Sequence, residues 1–362
     1  MGKRIVFTVI NDLHTDRRME RICSTLTEAG YEVTLVGRTL PESKALPQRA
    51  YRTRRLRCWF QKGKLFYLEY NLRLWLFLWF QRFDILGTVD ADTLPAGWML
   101  RKLKPIKLVF DAHEWFSQVP EVVIRPRVQR VWEWVERKLI PAADAAYTVC
   151  GAIAEHYSRL SGVPFHVVMN APPLDPTHPP HEPASPPFIL YQGALNQGRG
   201  IEAMIKALHQ LDIRLVLVGE GDLSQSLRHM VREEGLEHKV HFAGWIAPDQ
   251  LKYQTCKAWL GLNVSENQGL SYYYSLNNKF FDYIHAGLPS LINAFPEYLN
   301  LMRQWEVGIP VDAEVDQLVA AVKRLQQNPE LYAQLEQNCL EAAKTLNWQR
   351  EAEQLKDIYA QL

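Results

Sequence analysis

Short apolar runs alternate with amphipathic stretches along nearly the whole chain. In the first half, residues 4–10, 31–37, 84–90, 106–112, 145–149 and 165–170 read as strands. Each is a nearly continuous apolar run, as expected of a parallel strand buried on both faces. Helical patterns lie between them. In residues 127–140, Val128, Val131, Trp132, Val135 and Leu139 fall on one face, and Pro141 stops the pattern. Strand, helix, strand in this order predicts βαβ units, a parallel sheet and right-handed crossovers.

The pattern breaks at residues 171–187, which hold eight prolines and no helix or strand pattern, as a semi-rigid linker would. It then resumes with strands at 188–193, 213–219, 239–244, 260–265, 289–294 and 307–311. Helical patterns at 316–327, 330–345 and 348–362 close the chain. The expected fold class is α/β, with two Rossmann-like, doubly wound parallel-sheet domains at 1–170 and 188–344. Ligands of such folds sit outside the carboxyl ends of the strands and, with two domains, in the cleft between them.

Composition narrows the function classes. A chain of 362 residues is long enough for two domains with a core each. Its 41 Lys and Arg against 40 Asp and Glu leave a formal charge of +1, which gives no case for a nucleic-acid binder. Five widely spaced cysteines without a Cys-x-x-Cys pair suit a reducing compartment and argue against a disulfide framework or a zinc site. No cleavable signal pattern opens the sequence. The longest apolar stretch, 72–80, is about half the ~20 residues a spanning helix needs. A cytoplasmic protein is expected.

Three turns after strands of the second half carry candidate chemistry. The first runs Gly193, Ala194, Leu195, Asn196, Gln197, Gly198, Arg199, Gly200 into a helix at Ile201. Its glycines allow close backbone approach, and Arg199 with the helix N-terminus suits an anion such as phosphate. A plain strand-to-helix turn with a solvated Arg199 is the alternative. The second turn, Gly219-Glu220-Gly221-Asp222, lacks a full dinucleotide fingerprint. The third begins at Asn263, passes Glu266 and a Tyr-rich loop, and enters a helix with Asn278, Lys279 and Asp282. Asn278 and Asp282 share one face, so a carboxylate there can accept from vicinal hydroxyls while Lys279 favours phosphate.

In order and spacing, these motifs resemble the nucleotide-binding half of the GT-B glycosyltransferases, and in detail glycosyltransferase family 4. The shared elements are the turn at 191–200, the Gly-x-Gly at 219–221, the Val-x-Phe-x-Gly strand at 240–244 and the helix ending Ala-x-Gly-x-Pro at 278–289. In the first half, segments 11–21, 90–95 and 111–116 are similar to loops of a bacterial surface-glycan branch. The resemblance covers essentially the whole chain and implies a GT-B fold whose last segment, 345–362, crosses back to the first domain.

It also implies a retaining enzyme that needs no metal or cofactor and moves a sugar from a nucleotide-diphosphate donor to a glycan or lipid-linked acceptor. Donor-binding roles then fall on Gly193, Asn196, Arg199, Gly219, Gly221, Asn278, Lys279 and Asp282, with Trp245 either stacking on the base or lying in the core. Arg199 stands where the family has Lys. The family's Arg position is Ala194, so Lys279 is expected to replace that cation. Asp282 stands for a ribose-gripping Glu. The other family Glu falls on Tyr274, and Glu266 is the substitute. Catalytic roles fall on His113, Glu114 and Glu266, and acceptor-side roles on Asp16, Arg17 and Asp92. A metal role for Asp90 and Asp92 is set aside in favour of helix capping near Thr93 or a place in the acceptor cleft. His178 and His181 lack companion ligands.

Residues 52–83 form a final distinct region. Arg52, Arg54, Arg55, Arg57, Lys62 and Lys64 surround Trp59 and Phe60, and a Leu-, Trp- and Phe-rich stretch follows. Peripheral contact with an anionic membrane at the cytoplasmic face is one reading. A helix with a wide buried face beside a solvated basic loop is the other. Two further functions stay open: a sugar-nucleotide epimerase of the same fold, and a non-catalytic nucleotide-sugar-binding subunit.

Overall fold

The computed structural model describes residues 2–362. Its contacts divide the chain into two compact units, one up to Asn170 together with Arg350–Leu362, the other Ala171–Gln349.

The first unit is built on seven parallel strands: β1 (Arg4–Thr8), β2 (Glu32–Thr39), β3 (Arg52–Arg57), β4 (Ile85–Val89), β5 (Lys107–Ala112), β6 (Ala145–Thr148) and β7 (Phe165–Val167), in the order β3-β2-β1-β4-β5-β6-β7. β1 and β4 are almost wholly buried, matching their continuous apolar runs. β3 was not expected, because Arg52–Arg57 has no apolar run. It pairs with β2 along one side only, and its exposed Arg52, Arg54 and Arg57 are tolerated because it is an edge strand. Helix Trp348–Ala360 ends in this unit, where Tyr359 is fully buried beside Phe7 and Tyr147. Fully burying a side chain of this size contributes roughly 1.5–3 kcal/mol.

The second unit has six parallel strands: β8 (Phe188–Gln192), β9 (Arg214–Val218), β10 (Val240–Gly244), β11 (Leu260–Asn263), β12 (Ser290–Asn293) and β13 (Gly308–Val311), in the order β10-β9-β8-β11-β12-β13. Ile189, Leu215, Leu217, Leu260 and Leu291 form its core with Ile205 and Val322 from covering helices. The proline stretch lies in this unit and is fastened to it. Glu182 and Ala184 donate to the carbonyls of Cys256 and Lys257, and His181 bonds Glu336 and the Ala258 carbonyl.

Two helices depart from expectation. Helix Asp90–Leu103 starts at Asp90, ahead of Thr93, whose hydroxyl donates to the Val89 carbonyl. Helix Pro126–Leu139 buries Trp132, Val135 and Leu139 as expected, but Val128 and Val131 are exposed. No helix among the described residues is long and apolar enough to cross a membrane.

Candidate active site

The second unit brings its three turns together at the carboxyl ends of β8, β9 and β11. Gly193 (φ 132°) donates to the Val218 carbonyl, and Gly219 (φ 128°) donates to that of Gly244. A Cβ on Gly219 would lie 2.0 Å from the Gly193 carbonyl oxygen, so only glycine permits this approach. Asn196 accepts from the Asp222 N–H at 3.2 Å, tying the first turn to the second. At Gly221 a Cβ would meet the Asn196 side chain at 2.4 Å.

Over this platform sit two cations. Arg199 donates to the Tyr272 hydroxyl at 3.2 Å and the Asn277 amide oxygen at 3.4 Å, with its guanidinium 4.7 Å from the Tyr272 ring centroid. Lys279 is only 8% exposed, and its Nζ lies 3.8 Å from the centroid of the Tyr191 ring. Burial pushes its pKa well below the usual lysine value; the Arg199 charge adds to this, and Asp282 opposes it. Asp282 accepts from Gln192 Nε2 at 3.0 Å, while Thr255 donates to the other end of that amide at 2.9 Å. Helix Ile201–Ala207, which follows the first turn, has seven residues. Asn263 Nδ2 and Ser265 Oγ, at the end of β11, are buried polar atoms without a hydrogen-bond partner. Interior packing rarely leaves such groups unsatisfied.

The first unit gathers acids instead. β4 and β5 pair so that Val89 lies beside Asp111, which places Asp90 next to the residues leaving β5. Asp90 adopts a left-handed conformation (φ 55°) and accepts from the His113 N–H at 2.8 Å. The His113 ring is held from both sides, with Nε2 3.0 Å from an Asp111 oxygen and Nδ1 4.0 Å from one of Asp90. Asp111 is fully buried and also takes Arg18 at 3.0 Å, and Arg18 donates as well to the Val168 carbonyl at 2.9 Å.

Burial alone would lower the His113 pKa, but the Asp111 and Asp90 carboxylates outweigh it and raise it. Burial lifts Asp90 to about 6. It lifts Glu114 to about 7, with help from Asp90, and raises Asp92 well above the usual carboxylate range. Asp90 and Glu114 thus both titrate near neutral pH in one place, as acid–base chemistry at a functional site requires.

The comparisons with known proteins agree with this geometry. Residues 15–173 match the family described as Glycosyl transferase 4-like domain, and residues 177–342 match Glycosyl transferases group 1. The chain belongs to the GT-B glycosyltransferases. An uncharacterised glycosyltransferase of Methanocaldococcus jannaschii is 35% identical over 69 residues, a match covering 18% of this chain and 18% of that protein. Among solved structures, sucrose-phosphate synthase from Thermosynechococcus elongatus superposes with a TM-score of 0.82 at 19% identity, over 99% of both chains. Anabaena HepE, solved with UDP and glucose, gives 0.75 at 14% identity over 100% of both. WaaG, a glycosyltransferase involved in lipopolysaccharide biosynthesis, gives 0.73 at 15% identity over 98% of this chain and 99% of its own. At these identities the likeness speaks to the fold.

Within the glycosyltransferase, Gly193, Asn196, Arg199, Gly219, Gly221, Lys279 and Asp282 converge at the strand ends of the second unit. Asn278 is exposed on the first turn of its helix, on the Asp282 face. Trp245 is 72% exposed and so lies outside the core. Glu266 is exposed; its N–H donates to the Gly198 carbonyl and its carboxylate accepts from Gln268. In the first unit, His113 and Glu114 share one cluster with Asp90. Asp16 caps helix Arg17–Glu28 by accepting from the Met19 N–H at 2.9 Å, a local structural task. Arg17 is exposed, and Asp92 is 3% exposed. Sequence reasoning placed Arg18 at the start of the first helix, facing the cleft or solvated, whereas it is buried on Asp111; it gave no role to Asp111, Tyr191, Tyr272 and Asn277, which hold the candidate residues in place. Only the i, i+2 pair Asp111 and His113 at a strand end offered a signal.

Proposed function

We propose that this glycosyltransferase moves a sugar from a nucleoside diphosphate donor to a hydroxyl of a glycan or lipid-linked acceptor, with retention at the anomeric carbon and without a metal. The observation that carries the reading is the placement of Arg199 and Lys279 over a platform of glycine turns, with Asp282 one helical turn beyond Asn278. A diphosphate leaving group gains charge as its bond to the anomeric carbon breaks, and fixed cations stabilise that charge. The acceptor oxygen forms its bond on the face the diphosphate leaves, and its proton passes to a phosphate oxygen. Asp282 and Asn278 face vicinal hydroxyls such as those of a ribose, and Trp245 offers an exposed ring for a base. His113 and Glu114 serve the sugar and acceptor. The HepE complexes with UDP and glucose support a uridine diphosphate sugar as the first donor to try.

A thermal-shift panel of nucleoside diphosphates and their sugars tests this. A matched ligand at 100-fold its dissociation constant is expected to stabilise by about 2.7 kcal/mol. If none raises the melting temperature, the reading is wrong. His113→Ala is expected to slow transfer by at least ~100-fold, or about 2.7 kcal/mol, while donor binding is kept. A wild type that binds but never transfers to any offered acceptor points to a binding subunit.

A further inference from the structure

The first unit carries apolar side chains that its own core does not use. Helix Gly63–Trp79 buries Phe66, Tyr70, Leu74 and Leu78. On its opposite side Leu65, Leu68, Leu72, Leu76 and Trp79 recur every three or four residues and are 39–68% exposed. A helix apolar all round is buried on every side or meets lipid, and this one is open on one side. It packs against helix Asp90–Leu103, whose Met99 and Leu103 are exposed one turn apart, and that helix packs against Pro126–Leu139. There Val128, Val131 and Trp134 are exposed, which accounts for the two valines that periodicity had assigned to the core.

A tryptophan is held outward at the edge of this face. Trp59 is 85% exposed, yet it is fixed: Glu69 accepts from the N–H groups of Trp59 and Phe60, at 3.0 and 2.9 Å. Arg73 bonds Glu69 at 2.7 Å and lies 4.7 Å from the Trp59 ring centroid. An exposed ring held in advance loses little freedom on docking. Around it, residues 52–82 contain eight Arg and Lys against the single acid Glu69. Six of these cations, Arg52, Arg54, Arg57, Lys62, Lys64 and Arg82, are exposed.

We propose that this face docks the protein peripherally on an anionic lipid bilayer, with the leucines and Trp59 entering the headgroup boundary and the cations meeting lipid phosphates. The charge pattern selects this occupant. A second copy of the chain, packed face to face, would set the same cations against one another. Such docking favours a lipid-linked acceptor over a soluble one, a consequence that rests on the transfer reaction proposed above.

Co-sedimentation of the full chain with vesicles tests the docking. Binding to phosphatidylcholine vesicles containing about one-third phosphatidylglycerol is expected to exceed binding to phosphatidylcholine alone by at least tenfold, and to weaken with salt. The paired substitution Leu68→Glu with Leu72→Glu, both at exposed positions, is expected to cut that binding at least tenfold. It should leave the melting temperature and the shift produced by UDP unchanged, so that failure of docking and failure of the donor site are read separately. Equal binding to both vesicles, or full binding by the variant, overturns the proposal. So does a wild-type dimer that the variant dissolves, which would assign the face to self-association.

Discussion

At the carboxyl ends of β4 and β5, the first unit sets Asp90, Asp111 and Glu114 around one histidine. At the ends of β8, β9 and β11, the second sets Arg199 and Lys279 over two glycine turns. Both sheets are wholly parallel, so both direct loops to the same kind of edge, and the side chains placed there decide the sign of the charge. Burial acts alike on both, against whichever form is charged. It raises the carboxyl pKa values of Asp90 and Glu114 and lowers that of the Lys279 ammonium. Each group is held away from its comfortable state until a complementary ligand or reacting group restores it. For Lys279 the proposed partner is a diphosphate. For the acid cluster it is a sugar or acceptor hydroxyl, which brings no charge of its own.

The sharpest way to break this contrast is to remove the buried cation. Lys279→Met keeps the aliphatic stem and deletes the ammonium that lies over the Tyr191 ring. Transfer is expected to fall ~100- to 1,000-fold, about 3–4 kcal/mol, the scale for losing one charge-stabilising group. The melting temperature should hold or rise, because the variant no longer buries a disfavoured charge. A drop in stability together with rate would make Lys279 a structural residue. The same depressed pKa links donor binding to protons. A bound diphosphate raises the Lys279 pKa, so wherever the pH lies between its free and bound values binding takes up a proton and weakens as pH rises. Calorimetry of UDP binding in buffers of different ionisation enthalpy, run over a pH series on wild type and Lys279→Met, checks the uptake, and identical buffer dependence in the two proteins at every pH would contradict the placement of a diphosphate on Lys279.

On the acid side, the corresponding test cuts the link between Asp111 and its two cations. Burial disfavours the Asp111 carboxylate, but Arg18 and His113 outweigh it and hold its pKa below the usual range. Asp111→Asn leaves Arg18 buried without that counter-charge, and breaking a buried pair in this way costs roughly 3–5 kcal/mol. Denaturant unfolding measures the loss. Proton magnetic resonance of His113 supplies a second reading. With one of its two carboxylates gone, the ring should titrate at lower pH than in the wild type. An unmoved titration would show that Asp90 alone sets the charge of His113.

The parallel strands were legible because burial on both faces writes a continuous apolar run. β3 was not, because an edge strand carrying alternate arginines has no such run. The residues proposed for the donor could be named because glycines at strand ends and a lysine–aspartate helix sit close together in the chain. Their supports could not. Tyr191, Tyr272 and Asn277 act on Lys279 and Arg199 through ring faces and amide oxygens, which no periodicity marks. Arg18 reaches Asp111 across 93 positions, a pairing that only the order of β1, β4 and β5 creates. Residues whose burial and polarity disagree share a physical cause. Asp92 is polar yet buried inside a helix packed against its neighbours, and Val128 and Val131 are apolar yet turned outward. A periodicity argument takes polarity as a proxy for exposure, and it fails where the fold inverts the two.

Glu114 offers the finest measure of that inversion. Its carboxyl sits at about 7, pushed up mainly by burial and then by Asp90, against an ordinary value of 4.5. The folded state therefore binds this proton more tightly than the unfolded chain does. Between pH 4.5 and 7 the unfolded chain releases it first, so the residue costs stability progressively as pH rises through that window. Below the window the cost is absent, and above it the cost is complete. Glu114→Gln removes the titration while keeping the shape. The variant is expected to be more stable than wild type at pH 8 by about 1–3 kcal/mol, with the difference closing toward zero near pH 4.5. Paired denaturant melts at the two pH values measure it. A gain that is equal at both would mean packing, not charge, separates the two side chains. A loss at pH 8 would mean that the Glu114 carboxylate is stabilised in the folded cluster, and the acid side of the comparison would have to be redrawn around it.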